Sequence, residues 1–266
     1  MSMVNRTFLG NFLEDLYAAG SLWERFYIYQ NYVNRLGFNS VSYTFIPHLQ
    51  LNLNQPLIPV FLHTNEFPQG FLQQYAEQNL AADDFTLRFT REYYMQGVPL
   101  NWRTPMDWRG YVQEGRLLDR EAAVVELARR DYGISNGLTI PTMVSEIGVA
   151  AASVLSFERD AVFERLKQRN LATLMHCTQL FHDVNYSGAD FTYAFLMPFI
   201  QTIRPKEIEL LRYLATGRNL KAVEDSTGIS YGYASNILND LRARMGGISR
   251  DKLMYLFGLI NLVKHL

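Results

Sequence analysis

The stretch from Arg204 to Leu241, RPKEIELLRYLATGRNLKAVEDSTGISYGYASNILNDL, decides the fold of the C-terminal part of this chain. Pro205 stands where a helix can start, because its missing N–H is one that the first turn leaves unpaired anyway. Ile208, Leu211 and Ala215 follow at helical spacing, and Gly217 ends the segment. A second, short helix runs from Asn219 to Ser226 into Thr227-Gly228. Ser230 is an N-cap for a third helix, in which Ala234, Ile237, Leu238, Leu241 and Met245 share one face until Gly246-Gly247. Leu253, Leu256, Phe257 and Ile260 make the stripe of a fourth. A helix, a tight glycine-containing turn and a capped helix form a helix-turn-helix layout. It turns Gly232, Ser235, Asn236 and Asn239 outward, with Arg242 and Arg244 further along. Short polar side chains fit base edges in a major groove, and cations beside them suit phosphates. The plainer reading of the same pattern is a four-helix bundle with a polar outer face.

Charge separates this part from the rest. From Ile203 onward ten Lys/Arg stand against six acids, a net of +4, while the preceding residues carry −5 of the overall −1. A mildly basic end on an acidic body suits a polyanion at that end alone. With 266 residues, the chain is a little under two domains of ~150 residues each. Its 48% apolar and 19% charged residues can bury a core and exclude disorder. Gly148 to Phe157, the longest apolar run, is ten residues and contains Ser153 and Ser156; a spanning helix needs about 20, so no membrane partner is expected. Glu14 and Asp15 interrupt the first apolar stretch before it reaches signal-peptide length. Cys177 is alone, and neither CxxC nor HExxH occurs, so a disulfide, a metal and a cofactor are not expected. The expected compartment is the cytoplasm.

Upstream, the first 37 or so residues read as two helical segments, with Phe8, Phe12, Leu13 and Leu16 on one face and Phe26, Ile28 and Val33 in the second. SVSYTFIP alternates as a strand; LIPVFL, Asn136 to Pro141 and Gly148 to Ser156 are further β-type runs. Gly70 to Asn79, Leu117 to Arg130 and a long segment from about Glu158 to Asp183 read as helices. The order predicts an α+β N-terminal domain, an α/β/α sandwich around an antiparallel sheet, followed by an all-α C-terminal four-helix helix-turn-helix domain. The boundaries are 1–184, a linker at 185–202 carrying Phe191, Phe195 and Phe199, and 203–266.

The C-terminal stretch strongly resembles the DNA-binding domain of LuxR-type transcription factors. The family's pattern of Pro, Glu, Leu, Ala and Gly, then a short helix, then Gly-Ile-Ser falls on Pro205, Glu207, Leu211, Ala215, Gly217, Val223, Gly228, Ile229 and Ser230. Glu224 replaces the usual Ala, and Tyr233-Ala234 the usual Thr-Val. The resemblance implies binding to double-stranded DNA as a homodimer. Ser235, Asn236 and Asn239 would face bases, Lys221, Arg242 and Arg244 would mainly contact phosphates, and Ser230 and Tyr231 would belong to the same DNA-binding surface.

The N-terminal part resembles the autoinducer-binding domain that many such receptors carry. The family's Trp-x-x-x-Tyr, the Asp nine residues on, the Pro leading to Trp and the Gly-x-Thr-x-Pro strand fall on Phe71-x-x-x-Tyr75, Asp84, Pro99 to Trp102 and Gly137 to Pro141. Ser153 lies fourteen residues past Thr139. Phe71 stands for the family's Trp, and Phe85 for the Pro after Asp. The resemblance implies an acyl-homoserine lactone or similar autoinducer as ligand. Its head, one amide N–H and two carbonyls, costs several kcal/mol if buried unpaired. Asp84 would accept from the N–H, Trp102 would donate to the lactone carbonyl, and Tyr75 with Ser153, beside Thr139, would serve the acyl carbonyl. Phe67, Phe71 and Phe85 would line the tail. Taken singly, Tyr75 and Trp102 are equally readable as core aromatics, and Asp84 as a helix cap or a loop acid.

Enzyme readings find little support. His176 and Cys177 diverge as helix neighbours, His182 is off their face, and no Gly-rich phosphate loop or nucleophile elbow occurs. The expected protein is a ligand-responsive regulator of the quorum-sensing type and not an enzyme. The competing expectation is an interaction protein of the same fold that forms heterodimers with a related regulator and binds little DNA itself.

Overall fold

The structure, a computed structural model, describes residues 3–47, 59–96, 104–145, 148–186, 188, 190–191, 193–195 and 203–259. Helices α1 (Met3–Ala18) and α2 (Leu22–Arg35) come first, and the Ser21 hydroxyl caps α2 by accepting from Glu24 N–H. Then follow β1 (Ser40–Pro47), β2 (Val60–His63), α3 (Gln69–Glu77), a 3₁₀ turn (Leu80–Asp83), α4 (Phe85–Gln96), β3 (Met106–Asp107), α5 (Trp108–Gln113) and α6 (Asp119–Tyr132). Strands β4 (Asn136–Ser145) and β5 (Gly148–Ser156) lead into the long α7 (Asp160–Tyr186). The sheet order is β2-β1-β5-β4-β3, with every neighbouring pair antiparallel.

Strand β1 keeps the bounds its alternation predicts, and β4 runs on beyond Pro141. A bulge between Pro141 and Met143 lets it do so, since a residue without an N–H is tolerated where the ladder is already interrupted. Helix α4 has no counterpart in the sequence reading. FTLRFTREYYMQ is rich in Thr and aromatic residues, types that favour strands, so packing against β4 and β5 overrides local preference.

The sheet is covered on both sides, which is why β1 is buried at every position. Val41, Tyr43, Phe45, Leu138, Ile140, Ala152 and Val154 face α1, α2 and α7. Here Tyr29 stacks on Phe181 at 4.9 Å, and its hydroxyl pairs with that of Thr178 at 2.6 Å. The Tyr43 hydroxyl and His182 Nδ1 are hydrogen-bonded at 2.6 Å. Burial lowers the His182 pKa from 6.5 to about 4, and Asp183 opposes the shift weakly. The unfolded chain therefore takes up a proton between pH 6.5 and 4 that the folded chain refuses, so stability is lost as pH falls through that window. The expected loss is about 2 kcal/mol by pH 5. Melting curves should show it, with His182→Gln less sensitive; a native melting temperature constant from pH 7 to 5 would contradict it.

The expected linker begins inside this packing. Phe191 and Phe195 are buried, Phe191 edge-on to Phe45 at 5.5 Å and Phe195 at 5.5 Å from Tyr43. Phe191 and Phe195, within the expected linker, thus cover β1. Phe199 lies outside the described residues.

The C-terminal unit consists of α8 (Pro205–Ala215), a 3₁₀ turn (Leu220–Ala222), α9 (Val223–Thr227), α10 (Tyr231–Arg244) and α11 (Arg250–Leu259). Gly228 ends α9 with φ 69, a left-handed conformation that glycine adopts without steric cost. Ser230 then caps α10 by accepting from Tyr233 N–H at 3.4 Å. Ala234, Ile237, Leu238, Leu241 and Met245 are all buried. At the start of α8, Glu207 reaches back to accept from Arg204 N–H at 2.8 Å and pairs with Arg244 of α10.

Candidate functional site

On the other face of the sheet, α3, α5, α6 and the residues around the 3₁₀ turn at Leu80–Asp83 enclose a cavity of about 760 Å³. Its floor is the second set of alternate strand residues, Ser42, Thr44, Phe61, His63, Ser153 and Leu155. Phe67, Phe71, Tyr75, Asp84, Phe85 and Trp108 build the walls. The volume and the mostly apolar lining suit a small amphiphile.

Asp84 sits between the 3₁₀ turn and α4 and does two things at once. Its Oδ1 accepts from Thr86 N–H and from Thr86 Oγ1, both at 2.7 Å, which caps α4. Its Oδ2 accepts from the Tyr75 hydroxyl at 2.8 Å. Burial pushes the carboxyl above its ordinary value, while the bonds from Thr86 and Tyr75 pull it back. Asp84 therefore caps α4 and also lines the cavity, and Tyr75 holds the carboxylate in place.

Across the cavity, Trp108 donates its indole N–H to Thr139 Oγ1 at 2.8 Å, and the Thr139 and Ser153 hydroxyls lie 3.3 Å apart. Thr139 on β4 pairs with Ser153 on β5 in the sheet register. Thr139 lies behind the wall and orients Trp108 and Ser153, whereas Ser153 itself faces the cavity. Gly137 explains the glycine of this strand: a Cβ there would meet the Trp108 ring at 2.6 Å, so only glycine lets the indole lie on β4.

Trp102 and Pro99, expected beside the head group, lie outside the described residues. Trp108, His63, Ser42, Thr44 and Phe61 line the cavity without having been singled out in the sequence. For β1 the signal was present in the alternation of SVSYTFIP. At one end of the cavity Arg109 pairs with Asp160 at 3.1 Å and Glu164 at 3.2 Å. Lys167 pairs with Asp107 and, at 2.7 Å, with Glu164, which ties α5 to α7.

In the C-terminal unit, Lys221, Ser230, Tyr231, Asn236 and Asn239 are exposed, while Ser235 is half-buried. Arg242 donates Nε–H to Ile248 O at 2.7 Å and Nη1–H to Asn239 Oδ1 at 3.3 Å. Arg244, itself exposed, pairs with buried Glu207 and lies 3.6 Å from Asp240. Elsewhere, His176 is exposed, and burial pushes the Cys177 thiol up to about 12. His182 is buried against Tyr43, and the three side chains form no common site. Among the described residues no helix is long and apolar enough to cross a membrane, and no cluster of metal-ligating side chains occurs.

A sheet with helices on both faces and a carboxylate set into the wall of an apolar cavity defines a domain with an enclosed site of small-molecule size. The autoinducer binding domain family matches residues 24–184, and the chain belongs to that family, which is of the LuxR type. The domain is accordingly a receptor for a small-molecule signal. Comparison with curated proteins gives no match. Among solved structures, SdiA in complex with octanoyl-rac-glycerol is similar over 99% of this chain and 98% of its own, with 13% identity and a TM-score of 0.51. Escherichia coli SdiA in another crystal is similar over 97% of both chains, with 14% identity and a TM-score of 0.50. CepR2 from Burkholderia cenocepacia, an N-acylhomoserine lactone dependent LuxR family transcription factor, covers 70% of this chain and 99% of its own, with 14% identity and a TM-score of 0.52. At these identities the likeness is one of fold.

Proposed function

We propose that the chain is a cytoplasmic, ligand-responsive transcription regulator that takes an acyl-homoserine lactone or a similar signal into the cavity and binds double-stranded DNA as a homodimer. The observation that carries the ligand reading is Asp84, a carboxylate in the wall of an apolar cavity, steadied by Tyr75 and Thr86. Such a group suits an amide N–H, with Ser153 placed for a carbonyl and the Phe67, Phe71 and Phe85 rings for a chain. Mass spectrometry of small molecules extracted from protein expressed with candidate signals tests this reading. Recovery of no acylated signal from any expression would reject it.

The DNA reading rests on exposed Tyr231, Asn236 and Asn239 along α10, opposite its buried stripe. Ser230 and Ser235 flank them, and Lys221 remains the phosphate contact of first choice, because Arg242 and Arg244 are engaged within the domain. In selection from random DNA, the native protein should enrich half-sites about 10 base pairs apart. Asn236→Ala should relax the preference at one position by about 1–3 kcal/mol. Glu224 and Asp225, exposed acids on α9, favour the second reading, a heterodimer-forming modulator with little DNA affinity. Enrichment of no motif with or without ligand would replace the first reading by the second.

A further inference from the structure

The cavity has two unlike ends. At about 3.3 Å per residue, the span of β5 from Val149 to Leu155 sets them roughly 20 Å apart. At the first end Ala81 and Leu87 pack on Ile46 and Val149, and Ala81, Phe85 and Thr86 are only 7%, 5% and 8% exposed. The surroundings of Asp84 are closed. At the second end Leu155 packs with Phe67 and Ile134, and Arg109, Val112 and Asp160 line the cavity while also reaching the surface. The side chains of Arg109 and Asp160 are 24% and 57% exposed, and Val112 is 37% exposed. Here the cavity meets solvent.

An ion pair crosses this opening. Asn136 lies opposite Ser156 in the sheet register and its amide donates to Asp160 Oδ1 at 3.3 Å, which fixes Asp160 just past the end of β5. Arg109 reaches the other oxygen of Asp160 from α5 at 3.1 Å, and it has Glu164, one turn further along α7, as a second partner at 3.2 Å. The guanidinium can therefore release Asp160 and still keep a carboxylate. Pairs as exposed as these are weak and are screened by salt. Parting the walls elsewhere would instead bring Phe67, Phe85 and Tyr111 into water, all of them buried in apolar packing. The rim at Arg109 is the least costly place to open.

We propose that this rim is the port through which a ligand enters and leaves the cavity, and that the Arg109–Asp160 ion pair is its latch, which sets the rates of exchange and not the affinity. A latch that closes over the empty and the filled cavity alike slows entry and exit by the same factor. The inference rests on the cavity being the signal site, and it holds whatever head group the signal carries.

The test is stopped-flow tryptophan fluorescence on the full chain with two uncharged probes, N-octanoyl-homoserine lactone and octanoylglycerol, at least one of which should bind. In Arg109→Met the association and dissociation rate constants should both rise about fivefold, with Kd within about twofold of native. Asp160→Asn should move both rates in the same direction. Raising the salt from about 0.05 to 0.5 M should speed exchange in the native protein and not in Arg109→Met, because uncharged probes leave the latch as the charged group affected. Lys167→Met removes the neighbouring pairs with Asp107 and Glu164, which lie off the rim, and it should keep the native rates. Native rates in both rim variants, faster dissociation without faster association, salt acceleration that survives in Arg109→Met, or a Lys167→Met as fast as Arg109→Met would overturn the latch. Binding of neither probe to the native protein would overturn the reading of the cavity as the signal site, and the port with it.

Discussion

Asp84→Asn is expected to weaken signal binding by about 1.5–3 kcal/mol, roughly ten- to a hundredfold in Kd. The substitution is informative because asparagine is as good an N-cap as aspartate, so the bond from Thr86 N–H that starts α4 can be kept. What changes is the side facing the cavity. The Tyr75 hydroxyl and Thr86 Oγ1 both donate to this carboxylate, which leaves lone pairs on two charged oxygens for a ligand N–H. An amide has one accepting oxygen, already engaged by the cap, and its NH₂ would meet an incoming N–H as donor against donor. Calorimetry with an acyl-homoserine lactone reads the loss directly. Unchanged affinity in a variant that melts like the native protein would remove Asp84 from the site.

Arg244→Ala is expected to destabilise the C-terminal unit by about 1–3 kcal/mol, the cost of leaving the buried Glu207 carboxylate without a hydrogen-bonding partner. Glu207 is 2% exposed. Without Arg244 it keeps, among the described residues, Arg204, through the backbone N–H at 2.8 Å and the guanidinium at 3.9 Å. Removing both charges, as in Glu207→Gln/Arg244→Met, should restore much of the loss, because no unpaired charge then stays buried. Denaturant unfolding of the single and double variants checks this. A phosphate-binding Arg244 would give a different result: unchanged stability with a shallower salt dependence of DNA binding. That outcome would return Arg244 to the DNA contacts implied by the sequence resemblance.

Local pattern carried most of the architecture. Strand β1 was readable because its two faces differ chemically, and α10 because Ser230, the apolar stripe and Gly246-Gly247 all agree. Helix α4 was not legible, since its residues prefer strands locally and only the sheet beneath them makes a helix. Phe191 and Phe195 fall within the expected linker because no local pattern says which surface a ring will cover. In the site, the nine-residue spacing from Tyr75 to Asp84 was visible, and the structure turns it into a 2.8 Å hydrogen bond. The role of Trp108 depends on Thr139, 31 residues further along, and a contact of that range leaves no mark in periodicity. Arg244 hides its partner for the same reason. Its position on α10 suggests the outer surface, and its partner Glu207 lies 37 residues away.

The alternation of β1 also bears on how such a receptor can change over evolutionary time. Ser42 and Thr44 face the cavity while Val41, Tyr43 and Phe45 face α7 and its neighbours, and β5 repeats the division with Ser153 against Ala152 and Val154. Neighbours in the chain thus answer to different selective pressures. Point substitutions at the cavity positions can try out new signals one at a time while the helix-packing face stays intact. A single-residue insertion or deletion has no such freedom, because it would turn Tyr43 and Phe45 into the cavity and the hydroxyls into the core together. Divergence of signal preference in this strand is therefore open to substitution and closed to changes of length.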